Sequence, residues 1–148
     1  MVKIPPPGWL FIFVVTAGAI STLVPWRSIV DLRLVPLGVA LFALGFVLPV
    51  WAFTLFQREG TEVNPTSDTN KKLVITGPYA ITRNPMYLGL TTISLGLAFW
   101  IGSLPMFAVP ILVFAVANWI HIPFEEAKMR RQFDVQFDDY TRKVRRWI

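Results

Sequence analysis

Arg83-Asn84-Pro85-Met86-Tyr87-Leu88-Gly89 opens the longest charge-free stretch of the chain. No Lys, Arg, Asp or Glu occurs between Arg83 and Glu125, a gap of 41 residues. At roughly 20 residues per membrane-crossing helix, that length holds two spans and a tight turn. Gly102-Ser103-Leu104-Pro105 supplies turn chemistry in the middle. The stretch therefore predicts an antiparallel helical hairpin, with spans over about 86–101 and 105–122. A hairpin brings its two ends to one side of the membrane. Tyr79, Arg83, Asn84 and Tyr87 at its start and His121, Glu125 and Glu126 at its end are thus expected to meet.

Outward from the hairpin, charge-free gaps of 23 and 24 residues separate Lys3 from Arg27 and Arg33 from Arg58. Each fits one further span, over about 8–25 and 35–56. Hydrophobic residues make up 54% of the 148, and the mean hydropathy is +0.54. The expected fold is all-α and polytopic: one membrane domain over 1–148, with four transmembrane helices, a loop over 57–83 and a tail over 123–148. Ala17-Gly18-Ala19 faintly resembles a signal-peptide cleavage site, but one lysine and three prolines precede a long apolar stretch, which fits a span better. The absence of cysteine excludes disulfides and zinc-thiolate centres, and no metal site is expected.

Four spans place the N-terminus, the 57–83 loop and the tail on one side, with twelve Lys and Arg against two on the other. That bias predicts both termini in the cytoplasm, in the plasma (cell inner) membrane. The net charge of +5 then reflects topology and anionic headgroups. Nucleic acid is not an expected partner, because the basic residues border the spans and no nucleic-acid module is present. No Gly-x-Gly-x-x-Gly follows a strand, which sets aside a soluble nucleotide-binding domain.

The tail repeats Met129, Phe133, Phe137, Tyr140, Val144 and Trp147 at spacings of three and four, with charge on the other faces. This predicts an amphipathic helix with an aromatic stripe, suited both to an interfacial anchor and to a lid over the site. The prolines and glycines of the second and fourth spans read as kinks and close packing. Arg83 fits an ion pair with a glutamate that pins the hairpin, and equally a site residue.

Gly77-x-Tyr79, then Arg83-x-Pro85-x-Tyr87-x-Gly89, then Glu125-Glu126 one hairpin later, resembles the isoprenylcysteine carboxyl methyltransferase and phospholipid N-methyltransferase group of integral membrane enzymes. The likeness covers about residues 57–147. It implies S-adenosylmethionine as cofactor and a lipid-like or apolar small-molecule acceptor. It also implies a cofactor pocket formed by Asn64, Lys71, Lys72, Leu73, Val74, Tyr79, Asn84, Pro85, Met86, Tyr87, Glu125 and Glu126, with Arg83 at the reacting centre. Two positions depart from the group. Asn84 stands where a histidine is usual, and His121 where the carboxyl methyltransferases have an arginine. An imidazole is a poorer carboxylate clamp than a guanidinium. It is a better base for an amine, and His121 is the expected proton acceptor. Two other classes compete: an NADPH-dependent membrane reductase of sterol-reductase-like fold, with Lys71, Lys72 and Arg83 as phosphate ligands, and a non-enzymatic membrane assembly protein.

Overall fold

The computed structural model describes residues 4–23, 30–60 and 72–148. Five helices account for most of them. They are α1 (Pro6–Leu23), α2 (Val35–Arg58), α3 (Pro85–Ile101), α4 (Leu104–Val116) and α5 (Ile122–Lys143). A 3-10 turn, Gly77–Ala80, precedes α3, and a π-helical turn, Ala117–His121, joins α4 to α5. Proline stands in the first turn of α2, α3 and α4, where its missing N–H costs nothing. Gly102 ends α3 in the left-handed conformation at φ 76°, its N–H donating to Ala98 O at 2.8 Å. The hairpin turn is shorter than expected. Gly102 caps α3, Ser103 caps α4, and Leu104 is already helical.

Among the described residues, three helical stretches are long and apolar enough to cross a membrane: Pro6–Leu23, Val35–Arg58 and the run Leu104–Lys143. The four expected spans are therefore met in part. The third, α3, has 17 residues. It extends about 25 Å, at the short limit for a hydrocarbon core of about 30 Å. It is also the most enclosed helix, burying Tyr87, Gly89, Ile93, Ser94, Gly96 and Ala98. By contrast, α1 and α2 expose Phe11, Val15, Leu23, Leu44, Val47 and Trp51, large apolar side chains suited to lipid.

Packing is densest between α2 and α3. Gly38 and Gly45 on α2 face Gly96 and Gly89 on α3. A Cβ built on Gly38 would lie 2.8 Å from Gly96 O, and one built on Gly96 the same distance from Gly38 O. Gly45 and Gly89 repeat this reciprocal approach one step along. The Cα–H groups therefore point at facing carbonyls, the close contact that small residues permit in membranes. Pro49, which interrupts the hydrogen bonding of α2, seats its ring on Gly89. On the other side of α3, Ala17, Ala98, Met106, Val109 and Val113 form the buried core that binds α1 to α4. α1 and α2 themselves barely touch.

The tail is not a separate helix but the continuation of α4. The π turn carries the chain across Pro123, whose ring would collide with the carbonyl four residues back in a regular α-helix. Ile122 N–H donates instead to Ala117 O, five residues back. Nor is α5 continuous as the periodicity implied: it breaks direction at Asp134, at φ 41° and ψ −117°.

Candidate active site

Asn84 precedes Pro85, and the ring excludes helical geometry there, so Asn84 sits at φ −130° and ψ 55° as the cap of α3. This turns the 82–84 backbone toward the C-terminal end of the chain. Arg83 N–H donates to Arg145 O at 3.0 Å. The Thr82 hydroxyl donates to Arg146 O at 3.1 Å, and the Asn84 amide donates to the same carbonyl at 2.9 Å. The Tyr140 hydroxyl donates to Tyr79 O at 2.7 Å. Trp147 stacks on Phe114 at 4.6 Å and donates its indole N–H to Asn118. The tail therefore folds back onto the start of the hairpin.

The two glutamates part ways. Glu126 is held by two arginines: Arg83 Nη1 lies 3.0 Å from Oε1 and Arg146 Nη2 lies 2.6 Å from Oε2. The structural ion pair expected of Arg83 is present. Among the described residues, no arginine pairs with Glu125. Its Oε1 accepts the Tyr87 hydroxyl at 2.5 Å. Burial raises the Glu125 carboxyl from 4.5 to about 7, further than the Tyr87 hydrogen bond and the Lys128 charge pull it back. Burial and the nearby Glu125 charge raise the Tyr79 phenol, and burial raises that of Tyr140, so both stay neutral at physiological pH.

These groups surround a cavity of about 560 Å³. The hairpin motif contributes Tyr79, Arg83, Asn84, Pro85, Met86 and Tyr87, the loop Lys72, Leu73 and Val74, and α5 Glu125 and Glu126. The structure brings all of these expected site residues together. Asn64 and Lys71 lie outside the described residues. His121 is elsewhere. It is buried on the π turn, 6.1 Å from the Tyr87 ring, and lines a separate small cavity with Trp9. Pro6, Tyr87 and Leu90 border both cavities.

Sequence reading missed the apolar half of the wall: Pro6 and Pro7 of α1, and Pro49, Val50, Phe53 and Phe56 of α2. In sequence Val50, Phe53 and Phe56 are ordinary span residues, Pro49 reads as a kink, and Pro6 and Pro7 lie ahead of the first expected span. Met129, Phe137 and Tyr140 of the aromatic stripe also face the cavity, in keeping with a lid.

A model of the phospholipid methyltransferase family matches residues 34–136, which run from the start of α2 past the bend at Asp134. The chain belongs to that family. No curated protein and no solved structure matches the chain. The matched span contains every cavity-lining motif of the hairpin and both glutamates, and family membership joins the chain to the membrane methyltransferases that use S-adenosylmethionine.

Proposed function

We propose that the protein transfers a methyl group from S-adenosylmethionine to the amine of a lipid, at the cytoplasmic face of the membrane. The observation that carries this reading is the cavity's division into two chemistries. One wall is apolar, from α1 and α2, and the other gathers tyrosines around Glu125. Among the described residues, Glu126 is neutralised by arginines and Glu125 is not. Glu125 therefore supplies the negative charge that a cationic ligand requires.

The donor set suits the cofactor. The rings of Tyr79, Tyr87 and Tyr140 offer π-faces to a cation. Glu125 suits an ammonium through a charge-assisted hydrogen bond. Bound there, S-adenosylmethionine supplies an electrophilic methyl group, and the chain's task is alignment and exclusion of water. The Tyr87 hydroxyl fixes the Glu125 carboxylate, and the glutamate–arginine cluster fixes the 82–84 backbone.

An amine must lose its proton before it attacks. His121 does not line the cavity, so in this reading that role passes to Glu125, which is poised near neutrality. The acceptor arrives from the bilayer. α1 and α2 scarcely touch, and Pro6, Pro7, Pro49, Val50 and Phe53 flank the cavity there. An apolar chain can lie between them while its polar head meets Glu125.

Two measurements test the reading. Calorimetry in detergent should show S-adenosylhomocysteine binding and no NADPH binding, with the reverse result favouring a reductase. Methyl transfer should occur on phosphatidylethanolamine-type lipids and not on a prenylcysteine analogue. Turnover of the prenylcysteine analogue alone would refute the amine assignment.

A further inference from the structure

The run that starts at Leu104 reverses near its end. Asp134, at φ 41° and ψ −117°, has the dihedral angles of the first central residue of a type II′ turn, a position dominated by glycine. A side chain there stores backbone strain. The reversal shows in the contacts across it. Arg130 and Asp138 would stand about 12 Å apart along a straight helix. Here Arg130 Nε donates to Asp138 Oδ1 at 2.9 Å, and its guanidinium covers the Phe137 ring at 5.7 Å.

Beyond the bend, the chain closes one side of the cavity with Phe137 and Tyr140. It is latched by the polar bonds from Thr82, Arg83, Asn84 and Tyr140 described above. The Arg130–Asp138 clasp is about half exposed at both ends, and such pairs contribute little. The closed position thus depends on the latch, set against a hinge that favours straightening.

We propose that residues 135–148 form a strap hinged at Asp134, and that its lifting admits the water-soluble cofactor and releases its product. The lipid acceptor, arriving from the bilayer between α1 and α2, does not pass under the strap. The strap rests on the methyltransferase reading, because it assigns a route to that cofactor.

The test is the rate at which the full chain in detergent releases radiolabelled S-adenosylhomocysteine. Asp134→Gly adopts the turn without strain, holds the strap down and slows release about fivefold, equivalent to about 1 kcal/mol at 25 °C. Asp134→Ala favours a continuing helix and speeds release by a similar factor. Amide exchange across 135–148 and at Arg83 should slow in the glycine variant and quicken in the alanine variant. A role confined to stability would not order the release rates in opposite directions. If both variants release at the wild-type rate, or both shift the same way, the strap is refuted and the functional reading stands. If the wild-type protein binds no S-adenosylhomocysteine, the functional reading falls and the strap with it.

Discussion

Replacing Gly38 by alanine should separate α2 from α3. The added Cβ would lie 2.5 Å from Trp100 N and 2.8 Å from both Gly96 O and Trp100 Cα. All three atoms are backbone and cannot rotate aside. Ordinary contact begins at 3.4 Å, so α2 must withdraw by about 0.6–0.9 Å. A gap of that size forfeits a quarter to a half of the dispersion attraction wherever it opens. Overpacking of this kind costs about 1–3 kcal/mol, and losing a reciprocal Cα–H···O contact adds about 0.5–1. The better helix propensity of alanine returns about 1 kcal/mol, leaving a net loss of about 0.5–3. Thermal unfolding in detergent would read this as a fall of several degrees. Gly18→Ala is the internal control, because a Cβ there meets nothing within 4 Å. The reasoning is refuted if Gly38→Ala unfolds at the wild-type temperature, or if Gly18→Ala falls as far.

Other outcomes follow from the site. Glu125→Gln should weaken S-adenosylhomocysteine binding by about 1–3 kcal/mol, the scale of a charged hydrogen bond, measurable by calorimetry. Because Glu125 ionises near pH 7, wild-type affinity for a cationic ligand should rise through that pH, and the glutamine variant should lose the rise. The same shift has the opposite sign for the ligand-free fold. With the carboxyl raised from 4.5 to about 7, the folded state holds more protons than the unfolded, so the Glu125 contribution to stability falls as pH rises across that window. Chemical denaturation of the wild type and the glutamine variant at each end would show it. Tyr87→Phe removes the hydrogen bond that favours the charged carboxylate, so the midpoint of the affinity–pH curve should move upward. Reporter fusions at residues 1 and 148 should read cytoplasmic, with a third at Gly102–Ser103 on the opposite side; an external C-terminus would overturn the proposed orientation.

The hairpin was legible because charge is excluded from 84–124 while Gly102 marks the turn, and those two facts fix which polar residues meet. Tyr87 and Glu125 are 38 residues apart and still share a 2.5 Å hydrogen bond. The apolar wall was not legible. Val50 and Phe53 line the cavity yet are as exposed as Val47 and Trp51, so neither residue type nor burial sets the cavity side of this membrane helix apart. The bend at Asp134 was hidden for the opposite reason. Its dihedral angles call for glycine, yet the aromatic repeat runs through aspartate without interruption. His121 shares a face with Glu125 in the sequence pattern, but the two line different cavities, which have Pro6, Tyr87 and Leu90 in common.

The π turn at Ala117–His121 sets the phase of everything that follows it. Each residue of an α-helix advances the side chains by about 100°, so a single inserted or deleted position swings the whole downstream face by more than a quarter turn. Lengthening the helix by one residue between Pro123 and Glu125 would leave every side chain of the site chemically intact. It would aim Glu125 away from Tyr87 and Glu126 away from Arg83. The alignment of the two glutamates is thus stored in a residue count, and a length change at this point would do more harm than most substitutions around it.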